Sequence, residues 1–177
     1  NADGLRHIVD DPQRGIFRVN RSVLAEPAAF EAEMRRIFDR VWLYFGHESE
    51  VPANGDFVAR TLAHRPLLMC RGQDGVLRVF VNSCPHKGAR VCQLQKGNAR
   101  VHVCPYHSWS FDSSGRNMAI KDRSGGHYAA AFDRDSHDLP TVARLGNYRG
   151  FLFASLSPDV PEIEDYLGEA ARLLDII

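Results

Sequence analysis

The chain has 177 residues, 22 acidic and 22 basic side chains, and a hydrophobic share of 44%. That length suits one domain with additions, and that share suits an ordinary soluble globular core. The balanced charge gives no global field toward nucleic acid or an anionic membrane, and no apolar run is long enough to span a bilayer.

The N-terminus, Asn1-Ala-Asp-Gly4, has neither a starting Met nor the charged-then-apolar pattern of a signal peptide, which reads as a processed or trimmed end. Residues 1–25 are polar and aperiodic and are expected to form an extended arm. Pro27 suits the first turn of a helix, and Glu26, Glu31 and Glu33 suit its positive end. Phe30, Met34, Ile37, Phe38, Val41 and Trp42 recur at helical spacing. A helix over 26–42 is predicted, with one broad apolar stripe to bury.

Pro52-Ala-Asn-Gly-Asp56 reads as a turn, after which the periodicity shortens. Strands are predicted over 57–62, 66–71 and 76–82, then 100–103 and 109–112, and finally 141–145 and 151–155. Short strands with close turns predict a mainly β, antiparallel domain of sandwich or barrel type, with a flanking helix at each end. Residues 121–140 break the rhythm and read as a long surface loop. Beyond Pro158 and Pro161, the residues Ile163, Tyr166, Leu167, Ala170, Leu173 and Leu174 are helical again. That pattern reaches Ile177 without a cap, so it reads as cut rather than finished.

The chemistry gathers in two short stretches, Cys84-Pro-His-Lys-Gly-Ala89 and Cys104-Pro-Tyr-His-Ser-Trp109. Written as ligands they are Cys84-x-His86 and Cys104-x-x-His107. Two Cys and two His suit tetrahedral zinc, which leaves a zinc-stabilised binding module as one reading. Each stretch, however, pairs one Cys with one His, and a Pro follows each Cys. That mixed pairing suits a [2Fe–2S] cluster in which Cys84 and Cys104 hold one iron and His86 and His107 the other. Trp109 is expected to pack beneath the second stretch. Cys70, following Leu67-Leu-Met69, and Cys92 read as buried apolar thiols, and four reduced cysteines suit a reducing cytoplasm. His102 has a tempting spacing to His107 but lies in a predicted strand, and no metal role is expected of it. His127 and His137, with Asp133, Asp135 and Asp138, have the composition of a two-His-one-carboxylate site. No rigid element presents them, so a solvated loop is expected there.

The order of the four ligands, the two prolines and Gly88 closely resemble the Rieske proteins. Rieske proteins of the respiratory and photosynthetic cytochrome complexes carry an extra Cys in each loop, forming a bracing disulfide. Here Ala89 and Tyr106 stand at those places, and Trp109 stands where that branch has a Ser hydroxyl, so the resemblance is to the lower-potential oxygenase or ferredoxin branch. Arg21-Ser-Val…Phe30, Ile37-Phe38…Val41-Trp42, Asp56-Phe57, Val81-Asn-Ser-Cys84 and Tyr148-Arg-Gly-Phe151…Asp165-Tyr-Leu-Gly168 resemble the large (α) subunit of aromatic-ring-hydroxylating dioxygenases. Ser136-His-Asp-Leu139…Val142-Ala-Arg144 and the closing Leu167-Gly-Glu…Asp175-Ile-Ile are most similar to the benzoate, toluate and anthranilate group, and terephthalate dioxygenase is also similar. Two residues depart from the family pattern: Lys87 stands where Arg is usual and Ser108 where Gly is usual.

The resemblance implies a division of the chain: an N-terminal arm and helix over 1–43 that packs with a catalytic domain, a Rieske domain over 44–157, and the start of the catalytic domain over 158–177. It implies electron transfer from a reductase or ferredoxin to a mononuclear Fe(II) beyond Ile177, for cis-dihydroxylation of an aromatic, carboxylate-bearing substrate. The chain as given would lack that catalytic iron site. Implied partners are neighbouring α subunits, in a trimer or an α3β3 assembly, and a small β subunit, in the bacterial cytoplasm, with neither nucleic acid nor membrane. The alternative is a stand-alone Rieske ferredoxin with appended helices.

Overall fold

In the computed structural model, which describes residues 7–176, the chain falls into two compact units that divide between Arg40 and Val41. The first unit opens with a hairpin in which β1 (Ile8–Asp11) pairs antiparallel with β2 (Ile16–Val19). Its turn is written in Asp11-Pro12-Gln13-Arg14-Gly15. The Arg14 N–H donates to both the carboxylate and the carbonyl of Asp11, at 3.1 and 3.2 Å. The expected extended arm is thus corrected to a hairpin over 8–19, while residues 1–6 lie outside the described residues. A single turn, α1 (Ser22–Ala25), leads into α2 (Pro27–Glu33), with Pro27 in its first turn as predicted. A π-helical turn over Met34–Phe38 continues it and ends the helix at Asp39, short of the predicted 42. The apolar stripe is not buried among the described residues of this unit: Phe30 and Ile37 are both about half exposed.

The second unit is built from antiparallel strands. In order they are β3 (Leu43–His47), β4 (Asp56–Leu62), β5 (Arg65–Arg71), β6 (Leu77–Val81), β7 (Lys96–Asn98), β8 (Val101–Val103), β9 (Ser110–Asp112), β10 (Asn117–Ala119), β11 (Arg144–Tyr148) and β12 (Phe151–Ser155). They form a four-stranded sheet β6-β5-β4-β7 and two three-stranded sheets, β10-β9-β8 and β11-β12-β3.

The sequence of β5 explains the layering. Leu67, Leu68, Met69 and Cys70 are each 0% exposed. Successive strand residues point to opposite faces, so a strand with four consecutive buried residues is covered on both. Leu68 and Cys70 pack with Phe57, Phe80 and Phe111 of one core, and Leu67 and Met69 with Phe45, Val79 and Leu152 of another. The four-stranded sheet therefore lies between the other two. Each such side chain contributes about 1.5–3 kcal/mol by leaving water.

The predicted strand at 141–145 begins three residues later. Its register is set by the two-residue turn Arg149-Gly150 to β12, both residues at positive φ (51° and 87°). The predicted C-terminal helix is two short ones, α3 (Ile163–Leu167) and α4 (Ala170–Leu174), broken at Gly168 with φ 49°. Trp42 packs with Val160 and Ile163, and its indole N–H donates to the Pro161 carbonyl at 2.9 Å.

Cys70 carries a pH dependence. Burial, and secondarily the nearby Cys92, push its thiol up to about 12. An unfolded thiol ionises near about 8.5, so above that pH the unfolded chain releases a proton that the folded chain keeps. The contribution is complete below about pH 8.5 and is lost as pH rises toward 12, at about 1.4 kcal/mol per unit. Urea unfolding between pH 8 and 10 should show a fall in stability, and Cys70→Ala should make it shallower by the Cys70 share, since the buried Cys84 and Cys92 thiols are also pushed up and act in the same direction.

Candidate metal centre

Two loops of one design carry the predicted ligands. The first, 84–89, leaves β6 through Asn82 and Ser83 and returns toward β7. The second, 104–109, is the tip of the β8–β9 hairpin, where Val103 lies opposite Ser110. In the first loop the Cys84 N–H donates to the Ala89 carbonyl at 2.8 Å, and the Gly88 N–H donates to the Cys84 carbonyl at 2.8 Å. In the second the Cys104 N–H donates to Trp109 at 2.8 Å, and the Ser108 N–H donates to Cys104 at 3.0 Å. Pro85 and Pro105 fix φ after each Cys and leave no N–H to satisfy.

The fourth residue after each Cys is left-handed, with φ 72° at Gly88 and 59° at Ser108. Glycine takes this conformation freely, whereas a Cβ costs about 1 kcal/mol there. Ser108→Gly should therefore raise stability by about 1 kcal/mol, read as a Tm higher by roughly 2–4 °C. A Tm that falls would show that the Ser108 side chain makes up for its own strain.

Asn82 fixes the return of the first loop, a role the sequence does not announce. Its side-chain carbonyl accepts from the N–H groups of Val91 and Cys92 at 3.1 and 2.8 Å, and its amide donates to the Cys92 carbonyl at 2.8 Å. Asn82 is 1% exposed, so these groups have no water to turn to.

The four predicted ligands are paired by type. The Cys84 and Cys104 thiols are both buried in one core cluster, and Cys104 is close enough to act on the ionisation of Cys84. Burial pushes the Cys84 thiol up, the backbone N–H groups of His86 and Lys87 draw it back, and Cys104 pushes it up again. The His86 and His107 rings have centroids 4.6 Å apart. Both Nδ1 atoms are buried and find no hydrogen-bond partner among the described residues. A buried orphan of this kind costs about 1–3 kcal/mol, and a neutral imidazole nitrogen is a good metal ligand. Burial, then His107 and Lys87, lower the His86 pKa, favouring that neutral form. Among the described residues no three of His, Cys, Asp or Glu gather as a single-ion site. Two thiols and two orphaned imidazole nitrogens fit a [2Fe–2S] cluster, which takes two protein ligands at each iron.

Aromatic rings flank both imidazoles. Tyr106, 62% exposed, lies against His107 with centroids 3.8 Å apart. Trp109 does not simply underlie its own loop: it reaches the first loop and stacks on His86, at 4.8 Å and 6° between planes. A surface cavity of about 630 Å³ beside β4 and β5 is lined by none of the four predicted ligands.

The remaining candidates go elsewhere. His102 is buried in β8, its Nε2 3.6 Å from the Cys70 sulfur and its pKa lowered by burial. In the 121–140 loop Asp133 pairs with Arg123 at 2.6 Å, and Asp138 accepts from the Asn117 N–H at 2.7 Å. The loop is not wholly solvated as expected: Leu139 is 4% exposed, and Phe132 packs against the core that holds Cys84 and Cys104.

A profile of the Rieske [2Fe–2S] domain matches residues 41–138. The chain is 40% identical to the α subunit of toluate 1,2-dioxygenase from Pseudomonas putida, over 96% of this chain and 38% of that protein. It is 40% identical to the large subunit of anthranilate 1,2-dioxygenase from Acinetobacter baylyi, over 94% of this chain and 35% of that protein. Among solved structures, naphthalene 1,2-dioxygenase from Rhodococcus sp. bound to indole superposes with a TM-score of 0.79 at 33% identity, covering 89% of this chain and 36% of that one. The chain thus spans little more than a third of the length of these relatives. Cys84, His86, Cys104 and His107 all lie within the matched region, and by that match the chain belongs to the Rieske [2Fe–2S] domain family.

Proposed function

We propose that this chain is the electron-transfer part of the terminal oxygenase α subunit of an aromatic-ring-hydroxylating dioxygenase. In this reading Cys84 and Cys104 hold one iron of the cluster and His86 and His107 the other. The observation that carries the assignment is the pair of buried Nδ1 atoms without a hydrogen-bond partner among the described residues, on rings 4.6 Å apart in the two loops that carry Cys84 and Cys104. When bound, the cluster would take up and release one electron.

The chain's own residues prepare the site. The backbone N–H groups of His86 and Lys87 draw the Cys84 thiol pKa down, which favours negative charge on its sulfur. His86 and His107 are only half buried, so their outer edges reach the surface while Nδ1 faces inward. That exposure suits electron exchange with a docked partner.

The names of the relatives, toluate and anthranilate dioxygenases, support an aromatic carboxylate as substrate; in this reading a mononuclear iron in a further domain would oxidise it. Residues 158–177 would open that domain and residues 1–43 would pack with it. A reductase or ferredoxin would supply electrons, and neighbouring α subunits, with or without a small β subunit, would complete the assembly in the bacterial cytoplasm. No helix among the described residues is long and apolar enough to cross a membrane.

The test is anaerobic reconstitution followed by redox titration. About two iron and two sulfide per chain are expected, with a midpoint on the order of −150 to 0 mV, because no hydroxyl occupies the Trp109 position. Zinc without sulfide would overturn the reading.

A further inference from the structure

The 121–140 segment sends two rings back to the ligand loops. Its one regular turn, Phe132–Arg134, sets Phe132 against the core that contains Trp109. The His137 ring stacks on Phe132, with centroids 4.0 Å apart and 28° between planes. Its Nε2 lies 2.8 Å from the Phe132 carbonyl, and a carbonyl can only accept, so Nε2 carries the hydrogen. This bond and this stack fix the two rings to each other. Both then meet Trp109 steeply, Phe132 at 6.1 Å and 85° and His137 at 5.6 Å and 68°. Trp109 in turn lies parallel to His86.

We propose that Phe132 and His137 are positioning residues for the His86 imidazole, acting through Trp109. The proposal rests on the reading of His86 as an iron ligand. The torsion that turns an imidazole about its stem is broad, so inward placement of Nδ1 leaves the ring plane loosely defined. A parallel indole at stacking distance narrows that freedom. The indole is itself held because tilted aromatic pairs set a ring's positive edge toward its neighbour's negative face. An aliphatic side chain of similar volume fills the space without this directionality. The plane of a ligating imidazole governs its overlap with the metal, so it is registered in the reduction potential and in the spectrum of the reduced cluster.

The experiment compares reconstituted wild-type chain with Phe132→Leu, His137→Gln and Phe132→Tyr, and with Ile120→Val as a packing control in the same core. The readouts are iron and sulfide content, the oxidised-to-reduced ratio at one fixed poise, and the g anisotropy of the reduced state by electron paramagnetic resonance. Phe132→Leu and His137→Gln should keep the cluster, change the ratio threefold or more and alter the anisotropy. Phe132→Tyr, which keeps the ring, should match wild type, and Ile120→Val should lose stability without moving ratio or spectrum. Wild-type ratio and spectrum in the Leu and Gln variants would overturn the proposal. So would loss of the cluster from both, since positioning does not require them for binding. Absence of a cluster from the wild-type chain would instead overturn the ligand assignment, and this proposal with it.

Discussion

Cys104→Ala should purify with no acid-labile sulfide and only background iron, against about two of each in the wild-type chain. Removing one thiol leaves the first iron with a single protein bond, and a buried alanine offers nothing in its place. His86→Ala should do the same at the second iron. The control is Cys92→Ala. Cys92 is as deeply placed, at 6% exposure, but its thiol donates to the Leu94 carbonyl at 3.4 Å and has no place in the ligand loops. That variant should retain full iron and sulfide while losing about 1–2 kcal/mol of stability. Iron and sulfide assays with the visible spectrum decide it. Full occupancy in Cys104→Ala, or an empty site in Cys92→Ala, would sink the assignment.

Asn82→Ala should be among the most destabilising single changes outside the ligands, at about 4 kcal/mol. The change leaves the N–H groups of Val91 and Cys92 and the Cys92 carbonyl without partners in the core, at about 1–3 kcal/mol each. It also frees the return of the first loop, so cluster occupancy should fall with stability. Asn82→Asp keeps the two accepted bonds but sets a carboxylate against the Cys92 carbonyl in a buried place, and should cost as much or more. Urea unfolding measures both. A loss under about 1 kcal/mol in Asn82→Ala would mean that the loop closes without this clamp.

The ligand loops are legible in the sequence because ligand chemistry demands particular residue types at short spacing. The β5 run is legible for a different reason: burial on both faces leaves no polar alternation to obscure it. The missed elements have physical causes. β3 follows directly on the helical stripe, and Trp42 falls in phase with that stripe although it packs with Val160 and Ile163. β7, Lys-Gly-Asn, carries no apolar residue and is exposed throughout; it exists because β4 offers it a free edge. The first hairpin is hard to read because its strands, Ile-Val-Asp-Asp and Ile-Phe-Arg-Val, have four residues each and show no period-2 alternation, although Asp11-Pro12 and Gly15 mark a turn between them. The stacking of Trp109 on His86, and the work of Asn82, Phe132 and His137, depend on which loop meets which. Spacing along the chain carries no such information.

Cys84 and Cys104 stand 20 positions apart in the chain, one at the end of the central sheet and the other at the tip of an outer hairpin. Any group bonded to both sulfurs is therefore a staple across the seam between two layers. In the chain-entropy picture, closing a loop of that size restricts the unfolded chain by about 3 kcal/mol, as a disulfide there would. The inorganic group would then be structural mortar as well as an electron store. Iron starvation would be felt first as a loosening of that seam, and proteases would find residues 84–109 before they found β5.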